Sequence, residues 1–300
     1  LGTDNGILVY NYRTDKYEQP DTDFPTDVRT MVLQGDTLWI GSLNGLYTYQ
    51  LKSRQLNHFD SKQTGLPHNT IYSIIHTKDN QIYIGTYNGL CRYVQASGKF
   101  ENILLPVNRG GSNLFVNSLL EDTTRQCIWI GMEGYLFQYN PTIGEMKAIE
   151  VFHNNSIKSL ALDGDENLLA GTDNGLYVYQ NDKEPLQHII HDSRNIQSLT
   201  NNIIWNIFSD QEHNIWLGTD YGISLSRYNS ALQFVPISQI TGTGDGNQFY
   251  SLFRDSKGFY WFGGTNGVIR FTHPAGNKHD AIWYRMGDKN HPLSHNRIRH

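Results

Sequence analysis

Apolar and polar residues alternate along this chain in short runs. Ile82-Tyr83-Ile84 and Leu90-Cys91-Arg92-Tyr93 are two of them, separated by a turn that carries Asn88-Gly89. A two-residue period marks strands. An Asn-Gly pair between two strands predicts a tight reversal, because that pair supplies positive φ. The stretch Ile82 to Tyr93 therefore reads as a β-hairpin. An apolar run from Ile71 to Ile75 precedes it, joined by the polar turn Thr77 to Asn80, and a shorter strand around Phe100 follows. No helical period appears anywhere in the chain.

The hairpin recurs seven times, at 1–10, 38–49, 82–93, 128–139, 168–179, 215–228 and 260–271. Its first glycines are Gly2, Gly41, Gly85, Gly131, Gly171, Gly218 and Gly263, at intervals of 39 to 47 residues. Trp39, Trp129, Trp216 and Trp261 all stand two residues before that glycine. Four strands repeated every ~44 residues is the pattern of a propeller blade. A lone four-stranded sheet cannot bury both faces, so the copies must pack on one another.

The expected fold is all-β. It is a seven-bladed β-propeller of four-stranded antiparallel blades, one domain over 1–300, with one blade incomplete or closed by both chain ends. The last clause follows from Leu1-Gly2, which reads as the tail of a second strand, and from LSHNRIRH (293–300), which reads as the opening of a first. Since the chain opens with Leu1 rather than Met, it is expected to be a piece of a longer one. The rival is an open β-solenoid, whose shorter coils do not need four distinguishable strands.

Composition narrows the function. Apolar residues make up 38% and charged residues 18%, with a net charge of -5. This balance gives no general field for nucleic acid or an anionic membrane. Cys91 and Cys127 fit neither a disulfide scaffold nor a metal cluster and read as small buried hydrophobes. No stretch approaches the ~18 apolar residues of a membrane span. No metal or cofactor is expected. DGDEN (163–167) lacks the glycine and distant glutamate of a calcium loop, TGTGDGN (241–247) has no helix after it, and HIIH (188–191) puts its histidines on opposite strand faces. No catalytic motif is visible, and FRDSKGFYWFG (253–263) differs from a sialidase Asp-box by one residue in its Asp-to-Gly spacing.

The phrase IWIGT-x-x-GL after a first strand, as in NNIIWNIFSDQEHNIWLGTDYGI (201–223), resembles the two-component-regulator propeller repeat, and the resemblance covers essentially the whole chain. It departs from the pattern at Met132-Glu133-Gly134 and at Ala170. The resemblance implies the periplasmic sensor region of a Bacteroides-type hybrid two-component system, anchored in the inner membrane. Such regions commonly hold two seven-bladed propellers and a β-sandwich ahead of a membrane helix, kinase, receiver and DNA-binding domain. It further implies an oligosaccharide ligand, further propeller and β-sandwich domains as neighbours, a homodimer in the parent protein, no nucleic acid bound by this fragment, and no catalytic residue within it.

The repeats themselves point to a site. On the first strand the residue before a recurrent Ser, Thr or Asn varies widely, as Arg29, Tyr72, Asn117, Lys158, Trp205, Tyr250 and Arg299, while its neighbours barely change. Tyr87, Asn88, Asp173, Asn174, Asp220, Tyr221 and Asn266 lie on the motif turns, and His68, Arg109, Arg194 and Asn247 on connecting loops. The candidate ligand-binding residues are Trp205, Tyr72, Tyr250, Arg29, Lys158, Arg299, Tyr87, Tyr221, His68 and Arg109, with Trp205 foremost. Aromatic plates beside amides and guanidinium groups suit a sugar, and Arg29, Lys158 and Arg299 suit an anionic one. Two other readings stay open: a propeller lyase or glycoside hydrolase whose carboxylates or histidines come from different blades, and a purely structural interaction propeller.

Overall fold

A computed structural model describes residues 1–20, 22–107, 114–149, 152, 155–180, 183–238, 247–272 and 281–300, the side chains of 183–186 excepted. The chain forms two compact units, one of residues 2–8 and 20–157, the other of residues 1, 9–19 and 158–300. The first holds blade I (28–59), blade II (71–103) and blade III (116–149), each a four-stranded antiparallel sheet in chain order. It also holds a two-stranded ribbon of Gly2–Thr3 and Gly6–Ile7, and a four-residue helix, Ser61–Thr64, capped by Asp60.

The second unit holds blade IV, whose first strand Ile157–Leu162 begins at the unit boundary, then blade V (204–236) and blade VI (249–293). Blade VI gains a fifth strand, Pro292–Leu293, parallel to Ile282–Met286. A ribbon of Val9–Asn11 and Lys16–Glu18 completes the unit. The all-β propeller architecture expected from the repeat is present. The blade count differs: six blades form among the described residues where seven hairpin motifs occur, because residues 1–19 supply only the two short ribbons.

The hairpin turn is built differently from the expectation. In the six copies other than that of blade III only the glycine takes positive φ, from 92° at Gly222 to 145° at Gly45, while the Asn or Tyr before it does not. A hydroxyl does the remaining work. Thr86 Oγ1 donates to the Gly89 carbonyl at 2.9 Å and accepts from the Asn88 N–H at 3.1 Å. Thr3, Ser42, Thr172 and Thr219 repeat both bonds. Blade VI has Gly264 in that place, and Asn247 substitutes, its Oδ1 accepting from Thr265 Oγ1 and the Asn266 N–H.

The first glycine of each motif answers to packing. A Cβ at Gly85 would come within 2.7 Å of Val116 Cγ1, and one at Gly171 within 2.7 Å of Ile204 Cγ2. The next blade's first strand thus passes where a side chain would stand. The recurrent tryptophans are locked by carboxylates: the indole N–H of Trp129 donates to Asp122, that of Trp216 to Asp210 and that of Trp261 to Asp255, at 2.8 to 3.0 Å. Burial pushes the Asp122 carboxyl up, but the bonds from Trp129 and from the Arg125 backbone and guanidinium outweigh it and leave the pKa below the ordinary value. Asp255 is depressed likewise: bonds from Trp261, Tyr12 and two backbone N–H groups overcome burial.

The ribbon of residues 9–18 is fastened to blade VI. Asp15 accepts from the hydroxyls of Tyr10 and Tyr284, the latter at 2.8 Å, and pairs with Arg270 at 3.0 Å. These bonds hold its carboxyl below the ordinary range against the opposing effect of burial. Tyr10 packs edge-on against Trp261, with ring centroids 4.8 Å apart.

Candidate functional site

The position that varies between repeats is a β-bulge in blades I, II, III, V and VI. In blade V the register with the second strand shifts between Ile204 and Asn206, so that Trp205 has no ladder partner. The same shift skips Arg29 in blade I, Tyr72 in blade II, Asn117 in blade III and Tyr250 in blade VI. A bulge leaves its extra residue outside the ladder and bends the strand, which re-aims the side chain. Fold constraints on that residue are therefore weak, and its chemistry is free to differ from blade to blade.

In the second unit four residues at the variable position, of which Trp205 and Tyr250 are bulged, make a continuous row. The Lys158 ammonium lies 4.5 Å from the centroid of the Trp205 ring. Trp205 meets Tyr250 edge to face at 5.3 Å and 75°, and the Arg299 guanidinium lies 4.6 Å from the Tyr250 centroid. Each ring thus carries one cation, an attraction of about 0.5–2 kcal/mol per pair.

The polar edges of the rings are tied into one network. Trp205 Nε1 donates to Asp220 Oδ1 at 3.0 Å, Gln248 Nε2 donates to the same oxygen at 2.7 Å, and the Tyr250 hydroxyl donates to Gln248 Oε1 at 2.5 Å. The row thus brings two cations, two rings and the Asp220 carboxylate together.

The first unit has a different cluster. His68 and Tyr87 lie 4.9 Å apart, Tyr87 meets Phe115 at 4.2 Å and 75°, and Phe115 reaches Tyr72 at 6.1 Å. Burial raises the Tyr72 phenol above its usual pKa, with the Arg29 charge opposing. His68 Nδ1 accepts the Thr70 N–H at 3.0 Å, a bond that Asn201 Oδ1 makes to Ile203 in blade V. His68 therefore shapes its loop.

The remaining candidates are dispersed. Tyr221 stands 54% exposed at a hairpin tip, and Arg194 pairs with Asp192 in a surface turn at 3.1 Å. Arg109 lies outside the described residues. Asp163 accepts from the N–H groups of Asp165 and Asn167 and so shapes its turn. Both cysteines are buried; burial pushes the Cys91 thiol up, and that of Cys127 to about 11, which keeps them unreactive thiols.

Sequence reasoning missed Phe115 and Gln248. Phe115 directly precedes a first strand and Gln248 lies two residues before Tyr250. The available signal was proximity to the variable position, two residues upstream of Asn117 and of Tyr250.

These repeats are of a known kind. The family model described as "Two component regulator propeller" matches residues 65–88, 198–221 and 243–266. Three of the chain's repeats thus match that model. It is 83% identical, over its whole length, to 40% of a solved extracellular domain of a hybrid two component system from B. thetaiotaomicron, with a TM-score of 0.75. A second such domain from the same organism shares the fold at 17% identity and a TM-score of 0.74, over 91% of this chain and 37% of that one. A histidine kinase of Formosa agariphila is 25% identical over 90% of this chain and 21% of its own length. The chain thus spans well under half of the relatives it matches. A virginiamycin B lyase from Staphylococcus aureus shares the fold alone, at 12% identity over 88% of this chain and 86% of that one, with a TM-score of 0.64. Among the described residues no helix is long and apolar enough to cross a membrane.

Proposed function

We propose that this chain is the extracytoplasmic ligand-sensing propeller of a hybrid two-component regulator, and that the row Lys158–Trp205–Tyr250–Arg299 binds an acidic oligosaccharide. The observation that carries the reading is this row, with bulged residues of blades V and VI at its centre and a cation over each ring. A uronate-type sugar offers carboxylates to the cations, hydroxyls to the amide and carboxylate groups, and a C–H face to any ring surface it can reach. The similarity to extracellular domains of two-component systems supports a sensing role and a periplasmic setting.

The wider reading has three parts. Residues 1–300 form one seven-bladed propeller, with one blade incomplete or closed by both chain ends. The parent protein is anchored in the inner membrane and works as a homodimer with further propeller and β-sandwich domains and a kinase. Binding changes how two such chains are juxtaposed, and the kinase reads that change.

The test is calorimetric titration of the chain with trigalacturonate, with chromatography of the sugar afterwards. Saturable heat with intact trisaccharide is expected, and Trp205→Ala should weaken it at least tenfold without shifting the melting temperature. Shortened or unsaturated product would favour a propeller hydrolase or lyase. Unaltered affinity in Trp205→Ala would remove this row from consideration.

A further inference from the structure

Blades I and II enclose a cleft of about 410 Å³, within the roughly 300–1,000 Å³ span of small-molecule sites. It differs from the seam between blades V and VI at one residue of the repeat. Between blades V and VI the equivalent space is filled: Trp216 packs on Tyr260 at 4.8 Å and on Phe271 at 5.8 Å, and Tyr260 stacks on Phe271 at 5.3 Å. Counted from the first glycine of each motif, Ile82 stands where Tyr260 does and Tyr93 where Phe271 does. Trp39 and Tyr93 keep their edge-to-face contact at 4.9 Å. The shorter Ile82 leaves the space beside them open.

The lock on the tryptophan changes as well. Trp39 Nε1 donates to Gln34 Oε1 at 3.0 Å, where Trp216 and Trp261 use aspartates. The cleft is lined by the carboxamides of Gln34, Gln50, Asn57, Asn80, Gln81 and Gln95. Arg92, the one charged residue of the lining, is paired with Glu101 at 2.7 Å.

Two of the carboxamides are held in fixed orientation. Gln34 Nε2 donates to Asn80 Oδ1 at 2.9 Å, and Gln50 exchanges bonds with the Thr37 hydroxyl at 2.9 and 3.2 Å. A carboxamide has two N–H donors and two lone pairs, so Gln50 keeps one of each for a ligand.

We infer that this interblade cleft is a second binding site, and that it takes a neutral saccharide. A sugar hydroxyl both donates and accepts, as a carboxamide does, and the pairing needs no charge. The aromatic floor of Trp39, Phe59 and Tyr93 matches the C–H face of a pyranose. An anion would have to displace Glu101 from Arg92. The site is independent of the acidic-sugar row: its residues all lie in 34–95.

The experiment titrates the 300-residue chain carrying Trp205→Ala, so that the row is disabled, with maltotriose, cellotriose and xylotriose, and with blocked trialanine as a peptide probe. Saturable binding of at least one trisaccharide is expected. It should weaken at least tenfold in Ile82→Tyr, which fills the cleft as Tyr260 does, and in Gln50→Leu. Should Ile82→Tyr fail to fold by circular dichroism, Gln50→Leu decides alone. Binding by none of the three sugars, equal binding in the cleft variants, or binding of the peptide in place of the sugars would each overturn the inference.

Discussion

The row Lys158–Trp205–Tyr250–Arg299 and the cluster His68–Tyr87–Phe115–Tyr72 use the same raw material for different ends. In the row each ring meets a cation and the polar edges share one carboxylate. In the cluster rings pack chiefly on rings, and the histidine spends its Nδ1 on a backbone N–H. The bulge places a side chain outside the ladder in both, and in the row a cation lies over each bulged ring. A re-aimed residue is an opportunity, and its neighbours decide whether it becomes a site.

The sharpest way to break this contrast is charge removal. Replacing Lys158 and Arg299 together by methionine should weaken trigalacturonate binding roughly a hundredfold, the loss of two charge-assisted bonds of about 1.5 kcal/mol each. Arg29→Met should leave the affinity unchanged in the same calorimetric titration. Next in size, Phe115→Ala should cost about 2 kcal/mol of stability in urea denaturation, less than a fully buried phenylalanine because it is half-buried, with no effect on binding. His68→Ala should cost about 1 kcal/mol, as loss of a cap does, and His68→Asn should recover it because Asn201 performs the same task.

The smallest effect is acid sensitivity. The carboxyls of Asp15, Asp122 and Asp255 are depressed in the folded chain. Their stabilisation is fully present above the unfolded carboxylate pKa of about 3.9 and is lost as pH falls through the folded values. Melting temperature should be flat above about pH 5 and decline below about pH 4. Asp15 and Asp255 both serve blade VI, Asp122 blade III. Hydrogen exchange near pH 3 should therefore deprotect Tyr260–Gly264 before Cys127–Met132.

Much of the architecture was legible because the repeat samples one solution several times. Gly41, Gly85, Gly131, Gly171 and Gly218 recur since each faces a first-strand residue of the blade that follows. The variable first-strand position was legible for the complementary reason, and it proved to be the bulge. The turn chemistry was misread: an Asn-Gly pair looks like two residues at positive φ, whereas a hydroxyl two residues before the Asn or Tyr N–H carries half the task.

The carboxylate locks were hidden because the Asp lies six residues before Trp216 and Trp261 but seven before Trp129, so no fixed spacing announces them. The pairing of Trp205 with Lys158 joins residues 47 apart in sequence, which pattern reading within a single copy cannot see. Nor does any motif report the cleft between blades I and II.

The hairpin turn carries its own instructions within four residues: one hydroxyl bonds both arms of the reversal, and the glycine completes it. A copy moved to another place in the array would bring its joint along. Recombination between neighbouring copies would then shuffle the bulged side chains while sparing the hinges, a route by which related sensors could acquire new chemical tastes without relearning how to fold.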